Sequence, residues 1–164
     1  MTFDIPHPLK AEHEQLHATL VDATREPGEV GTAAREVARL LHPHFVHEEE
    51  FALPPLALLE PIARSGVTQD MASVLPMTRR LKAQLPQMLR EHAEIVAALE
   101  RLIASSRTAG LPRFEHFAAA LMLHAQTEEL VLYPAAILVG ERVERDLAAL
   151  SDMTGVAHSH VPQA

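Results

Sequence analysis

The sequence predicts an all-α protein: an up-down four-helix bundle built from two repeated helical hairpins, with short extra helices. Three observations lead there. Apolar residues recur at helical spacing over most of the 164 residues. Strand formers are sparse, with aromatics at 4% and no Trp, while alanine and leucine abound. Finally, the segment His44 to Pro54 returns as His124 to Pro134, an offset of 80 positions. Repeats on this scale mark duplicated structural units.

The elements follow in order. Residues 1–8 carry two prolines and read as an extended arm. A first helix runs from near Leu9 to about Arg25, with Leu9, Leu16, Leu20 and Val21 on its apolar face. Pro27-Gly28 breaks it. Thr32 is placed to cap a second helix with Arg35 to Leu53 as its body, bent at Pro43. Pro54-Pro55 ends that helix, and Pro61 to Gly66 reads as loop. From Thr68 the pattern gives a short helix, then a long one from about Met77 to Ser106 with a kink at Pro86. Gly110-Leu111-Pro112 marks a turn. The fourth long helix runs from about Pro112 to Val139, bent by Pro134. A separate short helix, Glu141 to Leu150, precedes a frayed tail from Gly155 that includes His158 and His160.

The length fits one domain, 1–164, with a bundle core over about 9–139 and a C-terminal helix and tail over 140–164. A formal net charge of −8 argues against nucleic acid as a partner. With no cysteine, disulfides, zinc–thiolate sites and iron–sulfur clusters are excluded. No apolar stretch reaches about 18 residues, so no membrane span is expected. No secretory signal is visible, and the expected setting is cytoplasmic. Eleven histidines against a single tyrosine is the unusual count.

Both repeated segments open with histidine and carry glutamate four residues on: His44 with Glu48, His124 with Glu128. Residues i and i+4 of an α-helix differ by about 40° of rotation and about 6 Å of rise. Each imidazole and its carboxylate therefore share a face and can grip one cation. The repeat extends upstream. Lys10 to Leu20 matches Leu89 to Leu99 once His13 is set on His92, an offset of 79. Four helices thus alternate between one histidine and one HxxxE pair. Two such hairpins packed together would build a metal site in the bundle core.

This pattern resembles the hemerythrin-like, or HHE cation-binding, domain from His13 to Pro134. The paired HxxxEE motifs closed by Leu/Tyr-Pro are specific; the single-histidine helices are less so. The resemblance implies a non-haem di-iron centre: two iron ions with a bridging oxide or hydroxide. Carried over, the metal ligands are His13, His44, Glu48, His92, His124 and Glu128. His17, four residues after His13, fits as a further ligand. Hemerythrins proper carry their HxxxH on the third helix; here it is on the first, and Val96 stands at the third-helix position matching His17.

With both glutamates bridging, one iron would take His13, His17 and His44 and reach six ligands. The other, with His92 and His124, would reach five. Its vacancy beside Val96 would suit a small uncharged diatomic ligand, oxygen or nitric oxide, or peroxide. The implied role is oxygen binding or redox sensing. No catalytic acid or base stands out, so the expectation is not an enzyme, with peroxide or nitric oxide chemistry as a side activity. An oligomer is compatible with all of this.

Other histidines carry no such signal. His7, His42, His47, His116, His158 and His160 lack a carboxylate at i+4 and read as surface groups. Glu49 and Glu129 sit about 140° round the helix from His44 and His124 and read as surface charges or hydrogen-bond partners. Tyr133 and Leu132 read as packing at the bundle end, and Met88 and Met122 as core filler. Two other functions compete. A ferritin-like di-iron oxidase would need Glu-x-x-His on two helices, and only Glu14 to His17 has that spacing. A zinc-bound or metal-free helical interaction module would use the same nitrogen and oxygen donors.

Overall fold

Pro8 stands in the first turn of helix α1 (His7–Thr24), where a missing N–H costs nothing, so the helix begins two residues earlier than expected. The structure, a computed structural model, describes residues 3–157, and the side chains of residues 3–152. Among the described residues there are only helices and their connections. In α1 the buried positions are His13, Leu16, Leu20 and Ala23, one stripe at helical spacing.

Helix α2 (Gly28–His47) starts before the expected cap at Thr32. Thr32 lies inside the helix, and its hydroxyl donates back to the Gly28 carbonyl at 3.0 Å. Pro43 lies within α2, which remains continuous. The helix then loosens into a π turn, Glu48–Ala52, and tightens into a 3₁₀ turn, Pro54–Leu58. The span expected as loop is helix α3 (Leu59–Ser65). Pro61 falls in its first turn, where the donor would be unpaired anyway. The short helix expected from Thr68 is a 3₁₀ turn, Gln69–Val74.

Helix α4 (Leu75–Ala109) is 35 residues long and runs unbroken through Pro86. It stops at Gly110, whose φ of 68° is left-handed. There Leu111 N–H returns to the Ser106 carbonyl at 2.9 Å, closing the helix end. Helix α5 (Pro112–Thr127) follows, then a second π turn, Glu128–Leu132, then helix α6 (Tyr133–Ala157). The break expected at Gly140, separating a last short helix, is absent. Gly140 is where α6 approaches α4: a Cβ there would lie 2.2 Å from Thr78 Oγ1. The contact is flanked by Lys82–Glu141 at 2.8 Å and Arg79–Glu144 at 2.5 Å. The tail expected to fray at Gly155 is helical to Ala157. Residues 158–164, with His158 and His160, lie outside the described residues.

The four long helices close a ring. α1 packs on α2 and α5, α2 on α4, and α4 on α5; α6 extends α5 and returns along α4. Besides a cluster under α6 (Leu58, Met71, Val74, Val139, Val143 and Leu147), two apolar clusters fill the bundle interior. One, with Leu20, Val37, Leu99, Phe114 and Leu121, fills the end near the hairpin turns. The other, with Phe51, Leu53, Leu81, Met88 and Tyr133, lies beyond the π turns. Burying each large side chain in these clusters contributes roughly 1.5–3 kcal/mol. Between the clusters lies a polar layer.

Candidate metal centre

The polar layer is made where each helix passes the bundle axis. His13 comes from α1, His44 from α2, His92 from α4 and His124 from α5. Glu48 and Glu128 are the first residues of the two π turns. All six are between 0 and 5% exposed. The i, i+4 pairs lie side by side, with His44 Nε2 3.1 Å from Glu48 Oε1 and His124 Nε2 3.0 Å from Glu128 Oε1. His92 Nε2 lies 3.4 Å from Glu128 Oε2, and His13 Nε2 lies 3.7 Å from Glu128 Oε1.

The six form two overlapping groups. One holds His13, His124, Glu48 and Glu128; the other holds His44, His92, Glu48 and Glu128. Within each group the donor atoms lie within 4.8 Å of one another. This overturns the expected grouping, which put His13 with His44 and His92 with His124. The reason lies in the ring of helices. α1 also neighbours α5, and α2 neighbours α4. The histidines turn toward those neighbours, across the hairpins, so that His13 Nε2 and His124 Nε2 are 3.2 Å apart. The His44 and His92 rings are 4.5 Å apart, edge to face.

His17, expected as a further ligand, is exposed and belongs to neither group. The residual 40° turn from His13 carries it off the axis, into a surface cleft with Glu14, His42, Val46 and Glu49. Without His17 the two groups offer equal donor sets. The expected imbalance of ligand number therefore has no counterpart in the two donor groups. Val96 is half-buried and lines a different cleft, with Met122, Ala125 and Glu129. Glu14 is exposed beside His17, so the one ferritin-like spacing lies on the surface.

Each buried histidine also has a carboxylate at its far nitrogen. His44 Nδ1 is 2.7 Å from Glu91, and His92 Nδ1 is 2.9 Å from Glu129. His124 Nδ1 is 3.3 Å from Glu12, and His13 Nδ1 is 3.4 Å from Glu49.

A family model described as the hemerythrin HHE cation binding domain matches residues 4–136. The chain belongs to the hemerythrin HHE cation-binding family. No curated protein and no solved structure gives a significant match.

The hemerythrin-family donor set fits a cation on an observation internal to the site. Glu48 Oε2 and Glu128 Oε1 are buried and, among the described residues, no well-aligned hydrogen bond satisfies either, although His124 Nε2 stands 3.0 Å from Glu128 Oε1. A buried carboxylate oxygen left this way is costly. Imidazole nitrogen and carboxylate oxygen suit iron, zinc and other divalent metals. Electrostatics point the same way. Burial opposes charging of the imidazoles, yet hydrogen bonds and charge from Glu128 and Glu48 outweigh it. His13, His44 and His124 are held above the usual 6.5, and His92 is pushed up to about 10. Burial likewise opposes ionisation of Glu128, but the His124, His13 and His92 rings hold its carboxyl well below 4.5. The layer is shaped for positive charge, and protons and metal ions compete for it.

Sequence reasoning missed Tyr133. Its hydroxyl donates to Glu48 Oε1 and lies 3.3 Å from His92 Nε2 and 3.5 Å from His44 Nε2. Burial, then the Glu48 and Glu128 charges, push the phenol far above its usual range. In a π turn, residue i+5 comes over residue i. Tyr133 accordingly donates its N–H to the Glu128 carbonyl, and its ring reaches the polar layer. Pro134 is the available signal, since it cannot donate to the carbonyl four residues back, although the same loss at Pro43 and Pro86 leaves α2 and α4 continuous. Pro54 plays the same part after Glu48.

Proposed function

We propose that this chain is a non-haem di-iron protein that binds a small diatomic ligand, oxygen or nitric oxide, or peroxide, for oxygen binding or redox sensing. The observation that carries the reading is the pair of overlapping buried groups, each shared glutamate keeping one buried oxygen that no well-aligned hydrogen bond satisfies. His13 and His124 would hold one ion, His44 and His92 the other, and Glu48 and Glu128 would serve both. When bound, an iron pair supplies electrons for reversible capture or reduction of such ligands.

The chain's own residues do the rest. Tyr133 donates to Glu48 and fixes that carboxylate's orientation. Phe45 stacks on His13 at 4.2 Å and holds that ring in place beside the surface. A cleft lined by Glu14, His17, His42, Val46 and Glu49 reaches His13 from the surface and offers a way in. With two histidines and two shared carboxylates per ion, the protein leaves positions open for a small ligand. We also read the fold as a duplicated hairpin. Supporting this, both π turns begin at the repeated glutamates, and the outer carboxylates keep the register: Glu49 matches Glu129 and Glu12 matches Glu91.

The test is metal analysis of the purified chain, then anaerobic reduction and exposure to oxygen, nitric oxide and peroxide, followed by absorption and resonance Raman spectroscopy. Two irons per chain and a ligand-dependent visible band are expected. A colourless protein filled with zinc, or one without metal, would replace this reading with a helical interaction module.

A further inference from the structure

Four glutamates outside the two metal groups have a shared arrangement. Glu12 on α1 faces His124 on α5. Glu129, in the π turn after α5, faces His92 on α4. Glu91 on α4 faces His44 on α2. Glu49, in the π turn after α2, faces His13 on α1. Every contact crosses from one helix to its neighbour, and together they travel once round the bundle without repeating a helix. Each falls on Nδ1, the nitrogen turned away from Glu48 and Glu128. An imidazole that donates its Nδ1–H outward presents a bare Nε2 inward, the form a metal ligand needs.

We propose that Glu12, Glu49, Glu91 and Glu129 are positioning residues that fix the ring orientation and tautomer of the four histidines, and that they act in two pairs, one per metal ion. Glu91 and Glu129 serve the His44/His92 group; Glu12 and Glu49 serve the His13/His124 group. The pairs are not equal. Glu91 and Glu129 approach to 2.7 and 2.9 Å with side chains 22% and 36% exposed. Glu12 and Glu49 stand at 3.3 and 3.4 Å and are both 49% exposed. The His44/His92 group is the better prepared of the two and takes the first ion.

This inference rests on the two-ion reading above, and one titration separates them. The full-length metal-free chain is titrated with ferrous iron under anaerobic conditions, and with zinc as a redox-silent probe, against a competing chelator. The wild-type protein is expected to bind two ions in two steps. Glu91→Ala and Glu129→Ala should weaken the tighter step by about 10–100-fold, the usual effect of losing a partner behind a ligating histidine. Glu12→Ala and Glu49→Ala should weaken the looser step instead. The corresponding Gln variants keep an acceptor and should lose less. Nitrogen NMR of the zinc-loaded protein should show the Nδ1–H signal moving only for the histidine facing the altered residue. Variants matching wild type in both steps, or weakening both steps alike, would overturn the pairing while leaving the two-ion reading intact. A wild-type chain that takes up neither iron nor zinc would overturn both. Should an Ala variant fail to fold, its Gln counterpart supplies the same comparison.

Discussion

Among single residues, His17 and His13 show how little sequence distance separates a buried donor from a surface one. Both lie on α1 four positions apart, yet one is 2% exposed and the other points into an open cleft. His17→Ala should therefore leave the number of bound ions per chain unchanged, whereas His13→Ala should remove one; elemental analysis of the two variants decides it. The convergence of His13, His44, Glu48, His92, His124 and Glu128 was legible in the sequence, because i, i+4 spacing and the repeat offsets are properties of the chain itself. Their partnership was not. Whether His13 faces His44 or His124 depends on which neighbouring helix its stripe turns toward, and no local spacing encodes that. Glu12 and Glu91 were visible only as neighbours of a histidine. Their partners lie on other helices, so their role appears only after packing.

For the elements, the readings that failed share one cause: a residue read for its local preference was being used for packing or placement. Gly140 looked like a helix break, but there α6 packs so tightly on Thr78 of α4 that no Cβ fits. Pro61 looked like loop, but it stands in a first turn. The two π turns left only the prolines at Pro54 and Pro134 as a trace. Gly140→Ala makes this testable. Alanine is the better helix former by about 0.5–1 kcal/mol. Its Cβ would meet the Thr78 side chain at 2.2–3.0 Å, and forced packing of this kind costs about 1–3 kcal/mol. The clash should win, giving a net loss of about 1 kcal/mol in urea unfolding. A gain in stability would show that α6 can slide on α4.

Across the whole molecule, the buried charges set how stability follows pH. The four imidazoles titrate above 6.5 in the folded chain, so their protonated forms favour folding. That contribution is complete below about pH 6.5 and fades as pH rises, for His92 through about 10. Glu128 runs the other way. Its carboxyl is held well below 4.5, so its contribution is present above that value and is lost on acidification. With a chelator present, the urea midpoint should peak between about pH 4.5 and 6.5 and decline toward alkaline pH. Metal-loaded protein should not show the alkaline decline, since the ions supply the positive charge that the protons gave up. A metal-free midpoint that rises steadily from pH 6 to 9 would contradict this account. Among the described residues, no helix is long and apolar enough to cross a membrane.

Glu48 and Glu128 belong to both groups at once. If two ions bind as proposed, losing one imidazole would leave one half of the centre standing, whereas losing either acid would not, because each is a common keystone. Mutational drift should therefore weigh unevenly on these six positions. On that reading, chains that retain one working half would tolerate a changed histidine, while a changed glutamate would silence both halves together.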